Sequence, residues 1–287
     1  MKEFKGKVAV ITGAGSGIGF ALAERCAKEG MKVILADIDE RFLRSAQRKM
    51  KRIGATFITV LTDVSKVNDM ETLAKKTIDT YGAVHLLVNN AGIGNTKYTW
   101  NYTLKDWEWQ LGVNLWGVIH GVRIFTPIML KQGGECHIVN VASMEGLASG
   151  SGPGGVIYGV SKHGVISLTE TLRTDLEMKE FKLKVSVLCP GFVNTRIFLG
   201  DIHRPEEFQN PPDQLVESTR GKDYFAHFGY TLEELGKETT LMPPEQVADI
   251  TFQGIMDEKL YIFTHKDAIM KRLVKQRFDE ILNELDN

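Results

Sequence analysis

The fold class is indicated by Thr12-Gly13-Ala14-Gly15-Ser16-Gly17-Ile18-Gly19, because an apolar run at 8–11 precedes this glycine loop and a helical pattern at 18–28 follows it. Glycines between a buried strand and a helix allow a tight turn and let backbone amides approach a pyrophosphate at the positive end of the helix. A glycine loop alone can be a plain turn, but this context predicts a dinucleotide site. Its candidate cofactor contacts are Gly13, Ser16, Gly17, Ile18 and Gly19.

Strands and helices continue to alternate after this unit. Strand-like apolar runs lie at 8–11, 33–36, 57–61, 84–88, 137–141, 185–188 and 261–263. Helical patterns lie at 18–28, 41–53, 67–81, 104–130 and 157–178. Nearly continuous apolar strands are typical of a sheet that is buried on both faces. We therefore expect an α/β fold with a Rossmann-like, doubly wound parallel sheet of about seven strands and helices on both faces, in three layers.

The chain is expected to form a single dinucleotide-binding and catalytic domain, 1–287, because no linker-like change in composition and no internal repeat interrupts it. Residues of about 196–244 contain clustered prolines and no clean period, and we interpret them as an excursion that covers the substrate. Residues of about 266–285 have apolar side chains at helical spacing, which predicts a docked C-terminal helix.

The charge of the chain is balanced, with 35 Lys and Arg against 36 Asp and Glu, so we expect neither nucleic acid nor a membrane as partner. A small-molecule substrate is expected instead. We expect no signal-peptide core and no segment of membrane-spanning length, which predicts a cytoplasmic protein. The histidines do not combine with cysteines or carboxylates at metal-ligand spacings, so no metal is expected.

Asp37 closes the second strand, 24 residues after Gly13. A carboxylate at that point can accept both ribose hydroxyls and would repel a 2′-phosphate, which favours NAD over NADP. The alternative role of helix N-cap suits Asp39 better, since it stands next to the helical stretch. Arg41 and Lys32 could still be recruited to a phosphate.

Two further stretches follow strands at the carboxyl edge of the sheet, where open α/β proteins bind ligands. Asp63-Val64 follows the third strand and could cover an adenine, although Asp63 could equally cap the next helix. Asn89-Asn90-Ala91-Gly92 follows the fourth strand and offers small and amide-bearing residues.

Tyr158 and Lys162 are four residues apart at the start of a helical stretch, so their side chains leave the same face of the helix. A nearby ammonium, together with an oxidised nicotinamide, would stabilise a tyrosine phenolate for acid/base work. Ser143, just past the fifth strand, could hydrogen-bond the substrate oxygen, and Asn114, inside the predicted helix, could fix a water beside Lys162. Taken singly, these residues could be a surface pair, an ordinary turn serine and an exposed asparagine.

With Pro190-Gly191 after the sixth strand, these motifs resemble the single-domain short-chain dehydrogenase/reductases over about residues 4–200. The resemblance implies that Tyr158 is the acid/base, that Ser143 anchors the substrate oxygen, and that Lys162 and Asn114 relay the proton. It also implies cofactor contacts beyond the glycine loop. They are Asp37, Asp63, Val64, Asn90, Ala91, Gly92, Tyr158, Lys162, Pro190, Gly191, Val193 and Thr195.

The implied reaction is the NAD(P)-dependent interconversion of a secondary alcohol and a ketone, in a homodimer or homotetramer. One departure from the family pattern is the spacing of 15 residues between Ser143 and Tyr158, whose extra length falls in the glycine-rich stretch 149–155. Because this stretch borders the substrate site, the substrate cannot be carried over by analogy.

The expected substrate site contains Ser143, Met144, Tyr158 and Phe192, with further aromatic residues Phe198 and Phe225 in the excursion. These side chains favour a bulky apolar substrate such as a hydroxysteroid, a bile acid or an aryl alcohol, unless they only pack the excursion. Two other functions remain open: an NADPH-dependent reductase of acyl-chain or other carbonyl intermediates, and a non-catalytic dinucleotide sensor or scaffold.

Overall fold

A computed structural model describes residues 1–148, 155–211 and 241–286. In these residues the strands are β1 Val8–Thr12, β2 Lys32–Asp37, β3 Phe57–Leu61, β4 Leu86–Asn89, β5 Cys136–Val141, β6 Leu183–Cys189 and β7 Tyr261–Phe263. They form one sheet in the order β3-β2-β1-β4-β5-β6-β7, and all neighbours are parallel. The predicted fold class is therefore confirmed.

Helices cover both faces of this sheet. In chain order they are α1 Gly17–Lys28, α2 Glu40–Arg52, α3 Val67–Tyr81, α4 Leu104–Leu111, α5 Gly117–Gln132, α6 Met144–Leu147, α7 Val156–Met178, α8 Pro244–Met256 and α9 Ala268–Leu285. Side chains of α1, α2 and α8 pack on one face, and side chains of α3, α5 and α7 pack on the other. The three layers follow from this division.

The alternation of side chains along β1 explains why the strand is apolar throughout. Ala9 and Ile11 enter the core that contains Phe252 of α8, whereas Val10 enters the opposite core with Phe125 of α5. All five residues of β1 are buried. A strand covered on both faces has no position for a solvated side chain.

The strand order reverses at β1, which has β2 on one side and β4 on the other. The connection after β1 leads to one side of the sheet and the connection after β4 leads to the other, so a crevice opens between them at the carboxyl ends of the strands. The turns after β1, β2, β4 and β5 meet in this crevice.

The predicted helix at 104–130 is interrupted. Between α4 and α5 the backbone makes a π-helical segment, Gly112–Trp116, which contains the candidate residue Asn114. The extra residue per turn in a π segment shifts the side chains that follow it, and such segments are frequent at functional sites. Hydrophobic periodicity alone does not reveal this local change.

The expectation that no segment reaches membrane-spanning length is wrong. Among the described residues, the helical segment Leu104–Gln132, with 29 residues, is long and apolar enough to cross a membrane, judged by length and composition alone. A packed helix of a soluble protein meets the same criteria, and α5 buries Phe125 and Met129 against the sheet. The segment is therefore weak evidence for a membrane, and the cytoplasmic location stays a prediction.

Parts of the two segments singled out in the sequence lie outside the described residues. These parts are 149–154 of the glycine-rich stretch and 212–240 of the excursion, which includes Phe225.

A chain of buried amides crosses the centre of the sheet and limits the space beside it. Asn89 Nδ2 donates to Asn140 Oδ1 at 2.8 Å, and Asn140 Nδ2 donates to Thr169 Oγ1 at 3.0 Å. A β-carbon on Gly121 would lie 2.0 Å from Asn89 Oδ1. Gly121 is therefore required by the polar chain and not by its own backbone conformation.

We expect Gly121→Ala to lower the free energy of unfolding by about 1–3 kcal/mol, because the new methyl group displaces a buried, hydrogen-bonded amide. Gly112→Ala is the matched control, since its β-carbon would meet only Ser65 Cβ, at 3.4 Å. Urea unfolding of both variants measures the difference. Equal stabilities of the two variants would contradict this account of Gly121.

Candidate active site

The glycine loop between β1 and α1 is held close to the turn after β4. Thr12 Oγ1 accepts hydrogen bonds from the amides of Asn90, at 2.9 Å, and Ala91, at 3.1 Å. Asn90 Nδ2 donates to the Thr12 carbonyl oxygen at 2.9 Å. A β-carbon on Gly19 would lie 2.2 Å from the Gly13 carbonyl oxygen, so no larger residue fits there. The loop can therefore present its amides at a fixed distance from the start of α1.

Asp37 lies at the rim of this loop and binds two backbone amides. Its Oδ2 accepts from Gly15 N at 2.8 Å, and its Oδ1 accepts from Asp39 N at 2.9 Å. Burial raises the pKa of Asp37, and these two hydrogen bonds oppose the rise. The carboxyl group is thus a fixed acceptor at the edge of the cleft.

The cations that the sequence offered for a 2′-phosphate have other partners. Arg41 pairs with Asp39 at 2.7 Å, and Lys32 lies 5.5 Å from the centre of the Tyr81 ring. Asp39 caps α2 by accepting from the amides of Arg41 and Phe42, as its position suggested. Neither Arg41 nor Lys32 lines the cleft around Asp37.

Asp63 and Val64 line the cleft beyond Asp37, at the end of β3. The carboxylate of Asp63 accepts from the amide of Ser65 at 3.0 Å and from its hydroxyl at 2.6 Å. The N-cap position of α3 is occupied by Lys66, whose side chain makes no capping hydrogen bond, and not by Asp63. Asp63 therefore holds a local turn while its neighbour Val64 forms an apolar wall.

Ser143 and Tyr158 meet at the carboxyl end of β5. Ser143 caps α6 by accepting from the amide of Glu145 at 3.2 Å, and its side chain hydrogen-bonds the hydroxyl of Tyr158. Tyr158 lies in the first turn of α7. Two separate helix starts thus bring a serine and a tyrosine hydroxyl together.

Lys162 is buried one turn further along α7. Its Nζ donates to the Val141 carbonyl oxygen at 2.8 Å and lies 5.6 Å from the centre of the Tyr158 ring. Burial lowers the pKa of Lys162 to about 8. Burial also raises the pKa of Tyr158 to about 12, and the hydrogen bond with Ser143 opposes that rise. In the protein alone, burial thus outweighs the stabilisation of the phenolate that the sequence suggested.

Asn114 is fully buried, so the simple alternative of an exposed helix side chain is wrong. Its Oδ1 accepts from Ile93 N at 2.9 Å, and its Nδ2 donates to the Ile93 carbonyl oxygen at 2.9 Å and to Ser161 Oγ at 3.2 Å. A β-carbon on Gly92 would lie 3.5 Å from both Asn114 Oδ1 and Lys162 Nζ. The amide therefore joins the turn after β4 to α7 on the same side as the lysine.

The turn after β6 completes the cleft. Gly191 N donates to Thr264 Oγ1 at 3.1 Å, and Met144 N donates to the Pro190 carbonyl oxygen at 2.9 Å. Val193 forms an isolated bridge with Met242. These bonds fix Pro190-Gly191 between the end of β6 and the start of α6.

One cleft of about 470 Å³ is lined by the predicted cofactor, catalytic and substrate residues except Gly19, Asn114 and the two aromatic residues of the excursion. The side chain of Phe198, like residue Phe225, lies outside the part of the chain that the structure describes. Gly19 lies beneath the loop and Asn114 lies behind the turn after β4. The volume is in the range of small-molecule sites.

Sequence reasoning missed several residues of this cleft. Glu145, Ala148, Met270 and Leu273 lie at the end near Tyr158, and Phe42, Arg196 and His203 lie at the end near Asp37. Leu241 also lines the cleft. Met270 and Leu273 are three apart on the predicted C-terminal helix, so its apolar face gave a signal. For the residues at the opposite end, nothing local in the sequence indicates a contact between 196–203 and α2.

Known proteins resemble this chain in sequence and in fold. The family described as short chain dehydrogenase matches residues 7–202. The CLA biosynthesis dehydrogenase/reductase of Lactiplantibacillus plantarum is 33% identical over 287 residues, covering 99% of this chain and 96% of that protein. The 1-deoxy-11-beta-hydroxypentalenate dehydrogenase of Streptomyces exfoliatus is 29% identical over 277 residues, covering 96% and 88%.

Among solved structures, a short chain dehydrogenase/reductase SDR from Burkholderia phymatum in complex with NAD has a TM-score of 0.88 and 42% sequence identity. The match covers 99% of this chain and 97% of that chain. The similarity thus extends beyond the nucleotide-binding half of the sheet to both ends of the cleft.

Proposed function

This chain belongs to the short chain dehydrogenase family, and from that premise we propose that it moves hydride between NAD and a secondary alcohol or its ketone. The observation that carries the proposal is the hydrogen-bonded pair of Ser143 and Tyr158, in the same cleft as the glycine loop. The name of the Streptomyces relative, a dehydrogenase of a hydroxylated compound, supports oxidation at a hydroxyl group.

The residues of the cleft fit a nicotinamide dinucleotide. Gly13 and Gly17 have positive φ angles of 63° and 53°, and the space beside Gly19 excludes any side chain, as a backbone cradle for a diphosphate requires. NAD in the related Burkholderia phymatum structure supports the same cofactor class. Asp37 supports NAD over NADP, because its carboxylate lines the cleft and would repel a 2′-phosphate.

The protein supplies proton transfer and orientation. When bound, the nicotinamide ring accepts or donates the hydride. In this proposal Tyr158 takes the hydroxyl proton of an alcohol, or gives one to a carbonyl oxygen, and Ser143 orients that oxygen by a hydrogen bond. Lys162 holds the nicotinamide ribose and, with Asn114, relays the proton towards solvent.

The substrate in this proposal is bulky and largely apolar, such as a hydroxysteroid, a bile acid or an aryl alcohol. Support comes from the side chains at the Tyr158 end of the cleft, where Met144 and Phe192 are joined by Met270 and Leu273 of α9. Apolar walls with a few convergent polar groups are typical of sites for such ligands.

We further propose a cytoplasmic homodimer or homotetramer. Trp116 beside α5 is 53% exposed and Val160 on α7 is 46% exposed, which supports contact between copies through these helices. A location away from the membrane is supported by the balanced charge of the chain, which gives no attraction to an anionic lipid surface.

A panel of secondary alcohols and the matching ketones, including steroids and bile acids, tests the function with NAD and NADP. The proposal expects NAD-dependent turnover of a bulky member, followed by the absorbance of NADH. A preference for NADPH of tenfold or more would favour the reductase alternative. NADH binding without turnover of any member would favour a sensor.

We expect Tyr158→Phe to lower turnover by at least about 100-fold while NADH still binds, because the ring is retained and only the proton donor is lost. Tyr81→Phe is the control, because Tyr81 is also partly buried but does not line the cleft. Steady-state rates and NADH fluorescence separate the two effects. Full activity of Tyr158→Phe would remove this tyrosine from its role.

Alcohol oxidation is expected to accelerate with rising pH between about pH 6 and about pH 10. The reason is that burial raises the pKa of Tyr158, so the phenol is protonated at neutral pH and must lose its proton before it can accept one. Ketone reduction uses the protonated form and should not accelerate over the same range. A flat oxidation profile would count against a titrating tyrosine.

We expect Asp37→Ser to raise the ratio of kcat/KM for NADP over NAD by about tenfold or more, since a charge that repels the 2′-phosphate is removed. Glu40→Ser removes the same charge from an exposed position at the start of α2 and should leave the ratio unchanged. Equal ratios in both variants would show that Asp37 does not select the cofactor.

A further inference from the structure

Residues 195–210, which we call the strap, follow β6 and cross the cleft. The strap begins against the glycine loop, because a β-carbon on Gly17 would lie 3.3 Å from Thr195 Cγ2. On the other wall of the cleft, Gly94 N donates to the Ile197 carbonyl oxygen at 2.9 Å. The strap therefore touches both walls of the crevice between β1 and β4.

Two side chains of the strap reach the start of α2 and contact Phe42. The guanidinium carbon of Arg196 lies 5.0 Å from the centre of the Phe42 ring, and the ring of His203 lies 5.4 Å from it at an angle of 76°. His203 Nδ1 is 3.5 Å from Asp39 Oδ2. Phe42, Arg196 and His203 all line the cleft beside Asp37.

This corner combines two ring surfaces with a guanidinium plane. Flat aromatic and cationic groups are the chemistry that holds a purine base, because the base stacks on rings and on the guanidinium face. The nearby carboxylate of Asp37 is the group that suits a ribose hydroxyl. The corner thus has the chemistry of an adenosine site.

The strap is fastened by a buried cluster of charges around Asp106, at the start of α4. Asp106 Oδ1 accepts from Arg204 at 2.6 Å and Asp106 Oδ2 accepts from Lys97 at 2.8 Å. The exposed fraction of these side chains is 6% for Arg204, 6% for Lys97 and 2% for Asp106. Arg204 also lies 4.9 Å from the centre of the Trp109 ring, and Asn210 Nδ2 donates to Asp106 Oδ1 at 3.0 Å.

Each buried charge in this cluster needs its partner, because removing one partner leaves an unpaired buried charge that strongly destabilises the fold. Arg204 follows directly after His203, so any movement of Arg204 moves the ring that contacts Phe42. The cluster therefore fixes the position of the corner although it lies outside the cleft lining.

We propose that Phe42, Arg196 and His203 bind the adenosine half of the dinucleotide, and that Arg204 is a positioning residue that holds the strap there through Asp106. The inference rests on the proposed function for the cofactor class. It assigns the strap to the cofactor end of the cleft, whereas the sequence analysis interpreted the excursion, to which most of the strap belongs, as a cover for the substrate.

The test compares ligands with and without an adenosine group. Binding of NADH is followed by fluorescence and binding of ADP-ribose by calorimetry, and reduced nicotinamide mononucleotide, which lacks adenosine, is tested as a hydride donor. His203→Ala should weaken the binding of both NADH and ADP-ribose by about tenfold, the effect of losing one ring contact with a base. The kcat/KM for reduced nicotinamide mononucleotide should not change.

Arg204→Met should give the same pattern, and Arg204→Lys should restore part of the affinity for ADP-ribose because it keeps a charge for Asp106. Arg44→Ala is the control, since Arg44 pairs with Glu40 on α2 and does not line the cleft. Thermal melting establishes that each variant is folded. If Arg204→Met does not fold, His203→Ala alone decides the proposal.

An unchanged affinity of His203→Ala for ADP-ribose would overturn the inference and leave the proposed function intact. An equal loss with reduced nicotinamide mononucleotide would also overturn it, because the effect would then be a general loosening of the cleft. If the unaltered protein binds neither NADH nor ADP-ribose, the cofactor assigned in the proposed function is wrong, and the adenosine site is wrong with it.

Discussion

The structure depends on the close approach of two backbone turns at the carboxyl ends of β1 and β4. The hydroxyl of Thr12 holds the amides of Asn90 and Ala91, and the side chain of Asn90 returns a hydrogen bond to the Thr12 carbonyl oxygen. This contact is possible only because Gly13 and Gly19 have no side chains to fill the space. It fixes the start of α1 relative to the turn after β4, and so it fixes the two walls between which a dinucleotide can lie.

The opposite end of the cleft depends on burial. Lys162 is 2% exposed, and its Nζ lies 5.6 Å from the centre of the ring of Tyr158, which is hydrogen-bonded to Ser143 at the start of α6. Burial works against the charged forms of both groups, so it favours the protonated tyrosine and lowers the pKa of the lysine. The carbonyl group of Val141 keeps the lysine in place at the end of β5. In the proposed function, the protonated tyrosine can give its proton to a ketone directly, whereas alcohol oxidation requires it to lose that proton first.

Local patterns in the sequence were sufficient for the fold class and for most of the cleft. Parallel strands that are apolar throughout must be covered by helices on both faces, which gives three layers. Most of the predicted site residues follow a strand within a few positions, so their place at the carboxyl edge of the sheet was predictable. Contacts between distant segments were not predictable in this way. The π segment around Asn114 changes helical phase without a change in composition, and the contact between His203 and Phe42 joins segments that share no motif. The membrane-spanning length of Leu104–Gln132 was also not predicted from the sequence.

Hydride transfer from the cofactor to the substrate carbon can be followed with an isotope label. The protein is incubated with bulky ketones and with NADH that carries deuterium as the transferable hydride, and the masses of the alcohol products are measured by mass spectrometry. The account predicts a product with a single deuterium at the carbinol carbon. Binding of NADH and of the ketones, without deuterium in any product, would contradict it.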